Sequence, residues 1–120
     1  MPKRILVVED NAMNLKLFSD ILMASGYDVL VAETGQEALE VVQEQNPDLV
    51  LLDIQLPDIS GLDIARDLKS REAFKSIPII AVTAFAMAGD AEKAIAAGCD
   101  AYITKPISIP AFRDEIQKWL

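Results

Sequence analysis

Residues 49–53, Leu49-Val50-Leu51-Leu52-Asp53, form a short apolar run that ends in a carboxylate. Four aliphatic residues in succession predict a strand covered on both faces, because a half-exposed strand would alternate apolar and polar side chains. Similar runs recur at residues 5–8, 29–31, 79–82 and 101–103. We therefore expect five short strands.

Between these runs, and after the last of them, apolar residues recur at helical spacing. Asn11, the capping box 34–37 and Ser60-Gly61 predict the starts of three helices, the first ending near Gly26. A fourth is expected at about 88–97 and a fifth from about Ser108. The residues predicted to face the core are Leu17, Phe18, Ile21 and Leu22; Ala38, Leu39 and Val42; Leu62, Ala65 and Leu68; Ala91, Ala94 and Ile95; and Phe112, Ile116, Trp119 and Leu120.

Strand followed by helix, five times over, predicts an α/β fold with a doubly wound parallel sheet. The common strand order for five such units is the flavodoxin-like order 2-1-3-4-5. A chain of 120 residues suits one core, so we expect a single domain over residues 1–120. Ligands of such sheets bind beyond the carboxyl ends of the strands, between strands 1 and 3.

Composition excludes several classes of function. The formal net charge of -8 argues against binding to nucleic acid or to an anionic membrane surface. The chain has no histidine, which excludes histidine-based triads and histidine phosphoacceptors within it. The single cysteine, Cys99, is expected to be a small buried apolar residue. The apolar run after Met1 is too short for a signal peptide, so a cytoplasmic protein is expected.

Polar residues stand where the predicted strands end. Strand 1 is followed by Glu9-Asp10, strand 3 ends in Asp53, strand 4 in Thr83, and strand 5 is followed by Thr104-Lys105. Parallel strands bring these ends to one edge of the sheet, so three carboxylates should converge there. Any one of them could be a loop residue or a helix cap, but the joint pattern predicts a site.

Three close carboxylates repel one another, and a hard divalent cation such as Mg²⁺ relieves that repulsion. We assign Asp10 and Asp53 as direct ligands, with the backbone carbonyl of Gln55, and Glu9 as acting through water. Lys105 can pair with Asp53 or with an anion attached to it.

An aspartate carboxylate is ionised at neutral pH and needs no general base to attack phosphorus. Asp53 is therefore predicted to accept a phosphoryl group and form an acyl phosphate. Mg²⁺ and Lys105 would neutralise charge on the phosphoryl oxygens, and the Thr83 hydroxyl could hydrogen-bond one of them.

These residues closely resemble the receiver domains of bacterial response regulators over essentially the whole chain. The matching segments are residues 5–11, 48–57, 60–61, 82–84 and 104–106. The resemblance implies phosphoryl transfer to Asp53 from a histidine kinase or a histidine phosphotransfer protein. It implies Mg²⁺ held by Glu9, Asp10, Asp53 and the Gln55 carbonyl, and an aromatic switch in which Tyr102 turns inward as Thr83 shifts.

A narrower resemblance is to DivK-type single-domain regulators of cell division and polarity, through residues 9–11 with Asn14, 84–87 with 89–90, and 106–108. It implies binding to histidine kinases, and we expect output by contact with a downstream protein target, as a monomer or weak dimer. Similar motifs occur in receivers fused to hybrid kinases and diguanylate cyclases, so a receiver fragment is the alternative.

Two surfaces are candidate docking sites for partners. On the first helix, Leu15, Ser19 and Met23 are expected to lie opposite the buried stripe, and Leu15 with Asn14 and the Pro57 loop could seat a kinase helical bundle. The second surface comprises helix 4, strand 5 and helix 5, with Phe85, Met87 and Tyr102.

Three other classes compete with this interpretation. A flavodoxin would need a phosphate-cradling loop after strand 1, where this chain has Glu9-Asp10-Asn11 instead. A phosphatase of the haloacid dehalogenase type would need a second acid two residues after its nucleophile, where this chain has Gln55. A pseudo-receiver that never takes phosphate is disfavoured by the complete acidic set.

Overall fold

The structure is a computed structural model and describes residues 2–54, 56, 58–83, 90–104 and 107–120, with only the backbone at 90 and 91. The strands within these residues are β1 (Arg4–Val8), β2 (Asp28–Ala32), β3 (Leu49–Asp53), β4 (Ile79–Thr83) and β5 (Ala101–Thr104). The helices are α1 (Ala12–Ala24), α2 (Gly35–Gln45), α3 (Gly61–Ser70), α4 (Asp90–Ala96) and α5 (Ile109–Trp119). None of these helices is long and apolar enough to cross a membrane.

The strands form one parallel sheet in the order β2-β1-β3-β4-β5, which confirms the predicted fold class and strand order. In its register Val8 lies beside Leu52, Asp53 beside Val82, and Thr83 beside Thr104. The ends of β1, β3, β4 and β5 are therefore level with one another at a single edge of the sheet.

Both faces of the sheet are covered, which explains why its central strands are apolar throughout. Side chains of α2, α3 and α4 pack on one face, where Leu6, Val50 and Ala81 lie in a cluster that we call the α2–α4 core. Side chains of α1 and α5 pack on the other face, around Phe18 and Phe112, in a cluster that we call the α1–α5 core. The rings of Phe18 and Phe112 stack with their centroids 5.5 Å apart.

The predicted helix starts are confirmed where the structure describes them. Asn11 Oδ1 accepts from the Asn14 N–H at 3.0 Å, and Thr34 Oγ1 accepts from the Glu37 N–H at 3.1 Å. Ser60 begins α3, its hydroxyl accepting from the Leu62 N–H. Gly26 follows the end of α1 with a φ of +92°, as a helix stop should. Residues 88 and 89, expected in α4, lie outside the described part.

Three residues predicted to face the core are exposed instead: Leu17 (42%), Ile95 (53%) and Trp119 (37%). Ile95 follows the buried Ala94, and a step of one residue turns an α-helix by about 100°, which carries Ile95 off the core-facing stripe. Leu17 precedes the buried Phe18 and is displaced in the same way. Trp119 is in the last turn of α5, and an indole is rarely covered completely.

Cys99 is 4% exposed and packs in the α2–α4 core, which confirms the expectation of a buried apolar residue. Burial raises the pKa of its thiol to about 11, and the negative charge of Asp100 acts in the same direction. The thiol is therefore uncharged at neutral pH.

Candidate functional site

Three carboxylates meet where β1 and β3 end. Glu9 and Asp53 directly follow Val8 and Leu52, which lie side by side in the sheet. One carboxylate oxygen from each of Glu9, Asp10 and Asp53 lies within 4.8 Å of the others. Glu9 is 1% and Asp53 5% exposed, whereas Asp10 is open to solvent. The predicted acidic cluster is thus brought together, with two members buried and one at its mouth.

The donor set of this cluster fits a hard divalent cation. Buried carboxylates this close repel one another, and their mutual repulsion is weakened little by solvent. A Mg²⁺ ion prefers oxygen ligands and commonly keeps several waters, so two or three protein carboxylates suffice to hold it. Asp10 is the exposed member of the cluster and is in contact with solvent. Gln55, whose carbonyl was predicted as a ligand, lies outside the described residues.

The hydroxyl-bearing residue of the predicted site is also in place. Thr83 is fully buried at the end of β4, one residue beyond Val82, which lies beside Asp53. The end of β4 therefore adjoins the acidic cluster. Lys105, predicted as the positive group of the site, lies outside the described residues.

Tyr102 lies in the middle of β5, beside Ala81 of β4, and is half-buried against the α2–α4 core. Thr83 stands two residues after Ala81 on the neighbouring strand, so the two predicted switch residues are on adjacent strands. Their role in a switch stays a prediction.

Asn14 makes a contact with the acidic cluster that sequence reasoning missed. Its side-chain Nδ2 donates to Glu9 Oε1 at 3.0 Å. The first turn of α1, which carries Asn14, therefore lies over the end of β1, and the docking role of Asn14 stays a prediction. The spacing places Asn14 one turn into the helix, three residues after the cap Asn11, but it does not show where that turn meets β1.

The loop after Asp53 lies tightly against the start of α3 at Ile54. The Gly61 N–H donates to the Ile54 carbonyl at 3.2 Å. A Cβ on Gly61 would lie 2.4 Å from the carbonyl oxygen of Asp53 and 2.5 Å from Ile54 Cα. Only glycine permits this approach, so α3 directly supports the backbone of the predicted phosphoacceptor.

The same loop is joined to α2 by Asp58. Its Oδ1 accepts from the Gly35 N–H at 2.8 Å, and its Oδ2 accepts from the Gln36 N–H at 3.1 Å. The Gly35 N–H holds the pKa of the Asp58 carboxyl below its ordinary value, desolvation opposes that shift, and the Gln36 N–H adds to it. No local sequence pattern predicts these hydrogen bonds, because their partners are 22 and 23 residues apart.

The predicted docking surface on α1 is only partly exposed. Leu15 is half-buried and packs against the α1–α5 core, because it lies three residues before Phe18 and seven before Leu22 on the buried stripe. Ser19 is half-buried as well, whereas Met23 is 55% exposed as expected. The placement of Leu15 and Ser19 opposite the stripe was wrong, and their docking role stays a prediction. Pro57, Phe85 and Met87 lie outside the described residues.

A comparison with known protein families finds the response regulator receiver domain, which matches residues 5–117. The polar-differentiation response regulator DivK of Brucella anthropi is 51% identical over 120 residues, covering 100% of this chain and 98% of that protein. The protein of the same name from Brucella ovis is also 51% identical.

Solved structures agree with this match. A putative response regulator from Chloroflexus aurantiacus superposes with a TM-score of 0.96 at 25% identity, covering 99% of this chain and 98% of that one. The receiver domain of a sensor histidine kinase from Pseudomonas aeruginosa superposes with a TM-score of 0.91 at 33% identity, with the same coverage. That structure holds a magnesium ion in its active-site cleft.

Proposed function

The chain belongs to the response regulator receiver domain family, and on that footing we propose that Asp53 is its phosphoacceptor. The donor is a phosphorylated histidine kinase or histidine phosphotransfer protein. The observation that carries the proposal is the buried Asp53 carboxylate within 4.8 Å of Glu9 and Asp10, at the edge of the sheet where such folds bind ligands.

For phosphoryl transfer the chain has to position the Asp53 carboxylate and supply groups that stabilise charge on the phosphoryl oxygens. A carboxylate oxygen of Asp53 attacks phosphorus, the bond from phosphorus to the donor's imidazole nitrogen breaks, and its electron pair returns to the ring. The fully buried Thr83 hydroxyl would donate a hydrogen bond to one phosphoryl oxygen, and Lys105 would pair with another. The chain thereby catalyses its own phosphorylation and, with water as the acceptor, its own dephosphorylation.

Glu9, Asp10 and Asp53, with the Gln55 carbonyl, are the residues that would hold Mg²⁺. When bound, the ion supplies positive charge against the oxygens of the phosphoryl group. Support comes from the donor set itself and from the magnesium reported in the cleft of the P. aeruginosa receiver domain.

The output of this switch is contact between proteins. Residues 1–120 act as one receiver domain in which Thr83 and Tyr102 respond to the phosphoryl group. The docking residues for partners are Asn14, Leu15, Pro57 and Phe85. An identity of 51% to DivK supports a DivK-type role in polar differentiation, with a histidine kinase among the partners.

Intact mass after incubation with acetyl phosphate tests the acceptor, with and without Mg²⁺. Wild type should gain one phosphoryl group only with Mg²⁺, and Asp53→Ala should gain none. Asp63→Asn is the matched control, because Asp63 is an exposed aspartate paired with Arg66 on α3 and should leave labelling unchanged. Labelling that survives in Asp53→Ala would overturn the assignment.

A phosphorylated histidine kinase as the donor then separates two failures. If wild type gains phosphate from the kinase but not from acetyl phosphate, the acceptor stands and the small donor is unsuitable. If it gains phosphate from neither, the chain is a binding module, and the proposed function is wrong.

A further inference from the structure

A neutral side chain reaches from α1 to the buried acid of the cluster. Asn14 Nδ2 donates to Glu9 Oε1 at 3.0 Å, and Glu9 is 1% exposed. We propose that Asn14 is a positioning residue for the cation site, which fixes the Glu9 carboxylate in the orientation that Mg²⁺ requires. This inference rests on the proposed function, in which the cluster of Glu9, Asp10 and Asp53 binds Mg²⁺.

Asn14 is itself fixed at two points, which makes it suitable for this task. Its backbone N–H donates to the Oδ1 of Asn11, the residue that caps α1, at 3.0 Å. Its side chain is half-buried and spans from that first turn to Glu9. The helix cap therefore sets the position of the amide, and the amide in turn restricts rotation of the Glu9 side chain.

The amide also has the right charge for a position beside a cation site. A carboxylate accepts strong hydrogen bonds from N–H donors. Groups that hydrogen-bond to a metal ligand and fix its orientation commonly raise the affinity for the metal. A lysine at position 14 would supply the positive charge that the cation should supply, and would compete with it. An aspartate there would add a fourth carboxylate to a cluster that already has three. Asparagine donates a hydrogen bond without changing the net charge.

This role differs measurably from the docking role that the sequence suggested for Asn14. A docking residue changes transfer from a kinase and leaves both Mg²⁺ affinity and labelling by acetyl phosphate unchanged. A positioning residue changes the Mg²⁺ concentration needed for labelling by any donor.

The test is Mg²⁺ titration by isothermal calorimetry of the full chain as wild type, Asn14→Leu and Asn14→Ala. Leucine keeps much of the shape of asparagine and removes the donor. The Kd for Mg²⁺ should rise about tenfold in both variants, as is usual for loss of a group that orients a metal ligand. The Mg²⁺ concentration that half-saturates labelling by acetyl phosphate should rise equally, with the rate at saturating Mg²⁺ little changed. Met13→Ala is the control, because Met13 is in the same helical turn and 83% exposed.

A double-mutant cycle shows whether Asn14 acts through Glu9. Adding Asn14→Leu to Glu9→Gln should change the Kd no further, since the carboxylate to be oriented is gone. An unchanged Kd in Asn14→Leu would overturn the proposal, and so would an equal loss in both backgrounds. If wild type binds no Mg²⁺, the proposed function fails together with this inference. If wild type binds Mg²⁺ and Asn14→Leu binds it equally well, the inference alone fails.

Discussion

Replacing Gly61 by alanine should disturb the phosphoacceptor without touching any group proposed to react. A Cβ at this position would lie 2.4 Å from the Asp53 carbonyl oxygen and 2.5 Å from Ile54 Cα. Carbon atoms in contact prefer about 3.5–4.0 Å, so the loop and the start of α3 must separate by about 1 Å. Both neighbours are backbone atoms of the segment that carries the Asp53 carboxylate, and neither can rotate away.

The expected loss of stability follows from this overlap. Overpacking costs about 1–3 kcal/mol, and a clash with backbone belongs at the upper end, so we expect about 2–3 kcal/mol for Gly61→Ala. With a denaturant slope of about 2 kcal/mol/M, the midpoint of urea unfolding should fall by about 1–1.5 M. A displacement of about 1 Å at a reacting group costs up to about 100-fold in rate, so labelling by acetyl phosphate should slow by at least about tenfold.

Gly35→Ala is the matched control. Gly35 is the first residue of α2, as Gly61 is of α3. The higher helix propensity of alanine than of glycine, worth at most about 1 kcal/mol, therefore stabilises both variants alike. A Cβ on Gly35 would meet Ile64 Cδ1 at 2.8 Å and Ile59 Cβ at 3.0 Å, which are side-chain atoms and lie farther away than the two nearest backbone atoms that a Cβ on Gly61 would meet. We expect about 1 kcal/mol of destabilisation and a labelling rate close to wild type.

Two measurements compare Gly61→Ala and Gly35→Ala with wild type. Urea unfolding followed by circular dichroism gives the stabilities, and the initial rate of Mg²⁺-dependent labelling of the folded variants gives the effect on the site. If Gly61→Ala is as stable as wild type and labels as fast, then α3 does not support the Asp53 backbone as the structure indicates.

Two further predictions concern the loop and the switch. The Asp58 carboxylate accepts hydrogen bonds from the Gly35 and Gln36 N–H groups, which lower its pKa in the folded protein. Its contribution to folding stability is therefore fully present above the pKa of the unfolded chain, about 3.9. That contribution is lost as the pH falls through the lower pKa of the folded protein. Asp58→Ala should therefore be less stable than wild type at pH 7, with the gap in urea midpoint narrowing in acid; a gap that is constant from pH 7 to about pH 2 would contradict this. For the switch, fluorotyrosine labelling gives two ¹⁹F signals from Tyr27 and Tyr102. Phosphorylation should shift the Tyr102 signal, with Tyr27 of the α1–α5 core as the internal reference; equal shifts or none would count against an aromatic switch.

The fold followed from the sequence because its determinants are local. Runs such as Leu49 to Leu52 are buried on both faces, and the ends of parallel strands meet at one edge whatever the loops do. Glu9, Asp10 and Asp53 could therefore be placed together from their positions at strand ends alone.

What sequence reasoning missed depends on packing between distant elements. Leu15 and Leu17 are both apolar residues of α1, and the rotation of α1 about its axis against the sheet decides that Leu15 packs inward and Leu17 is exposed. The bond from Asp58 to the start of α2 joins segments more than 20 residues apart, which no local pattern reveals. The contact of Asn14 with Glu9 likewise requires knowing how the first turn of α1 crosses the end of β1.

The central claim is that Asp53 itself carries the phosphoryl group, and borohydride reduction tests it most directly. Borohydride reduces an aspartyl phosphate to homoserine and leaves ordinary carboxylates intact, so peptide mass mapping after labelling by acetyl phosphate and Mg²⁺ reports the modified residue. The account predicts homoserine at position 53, dependent on Mg²⁺, and unmodified aspartate at positions 10 and 58. Homoserine at another position, or none in a protein whose intact mass shows a phosphoryl group, would contradict it.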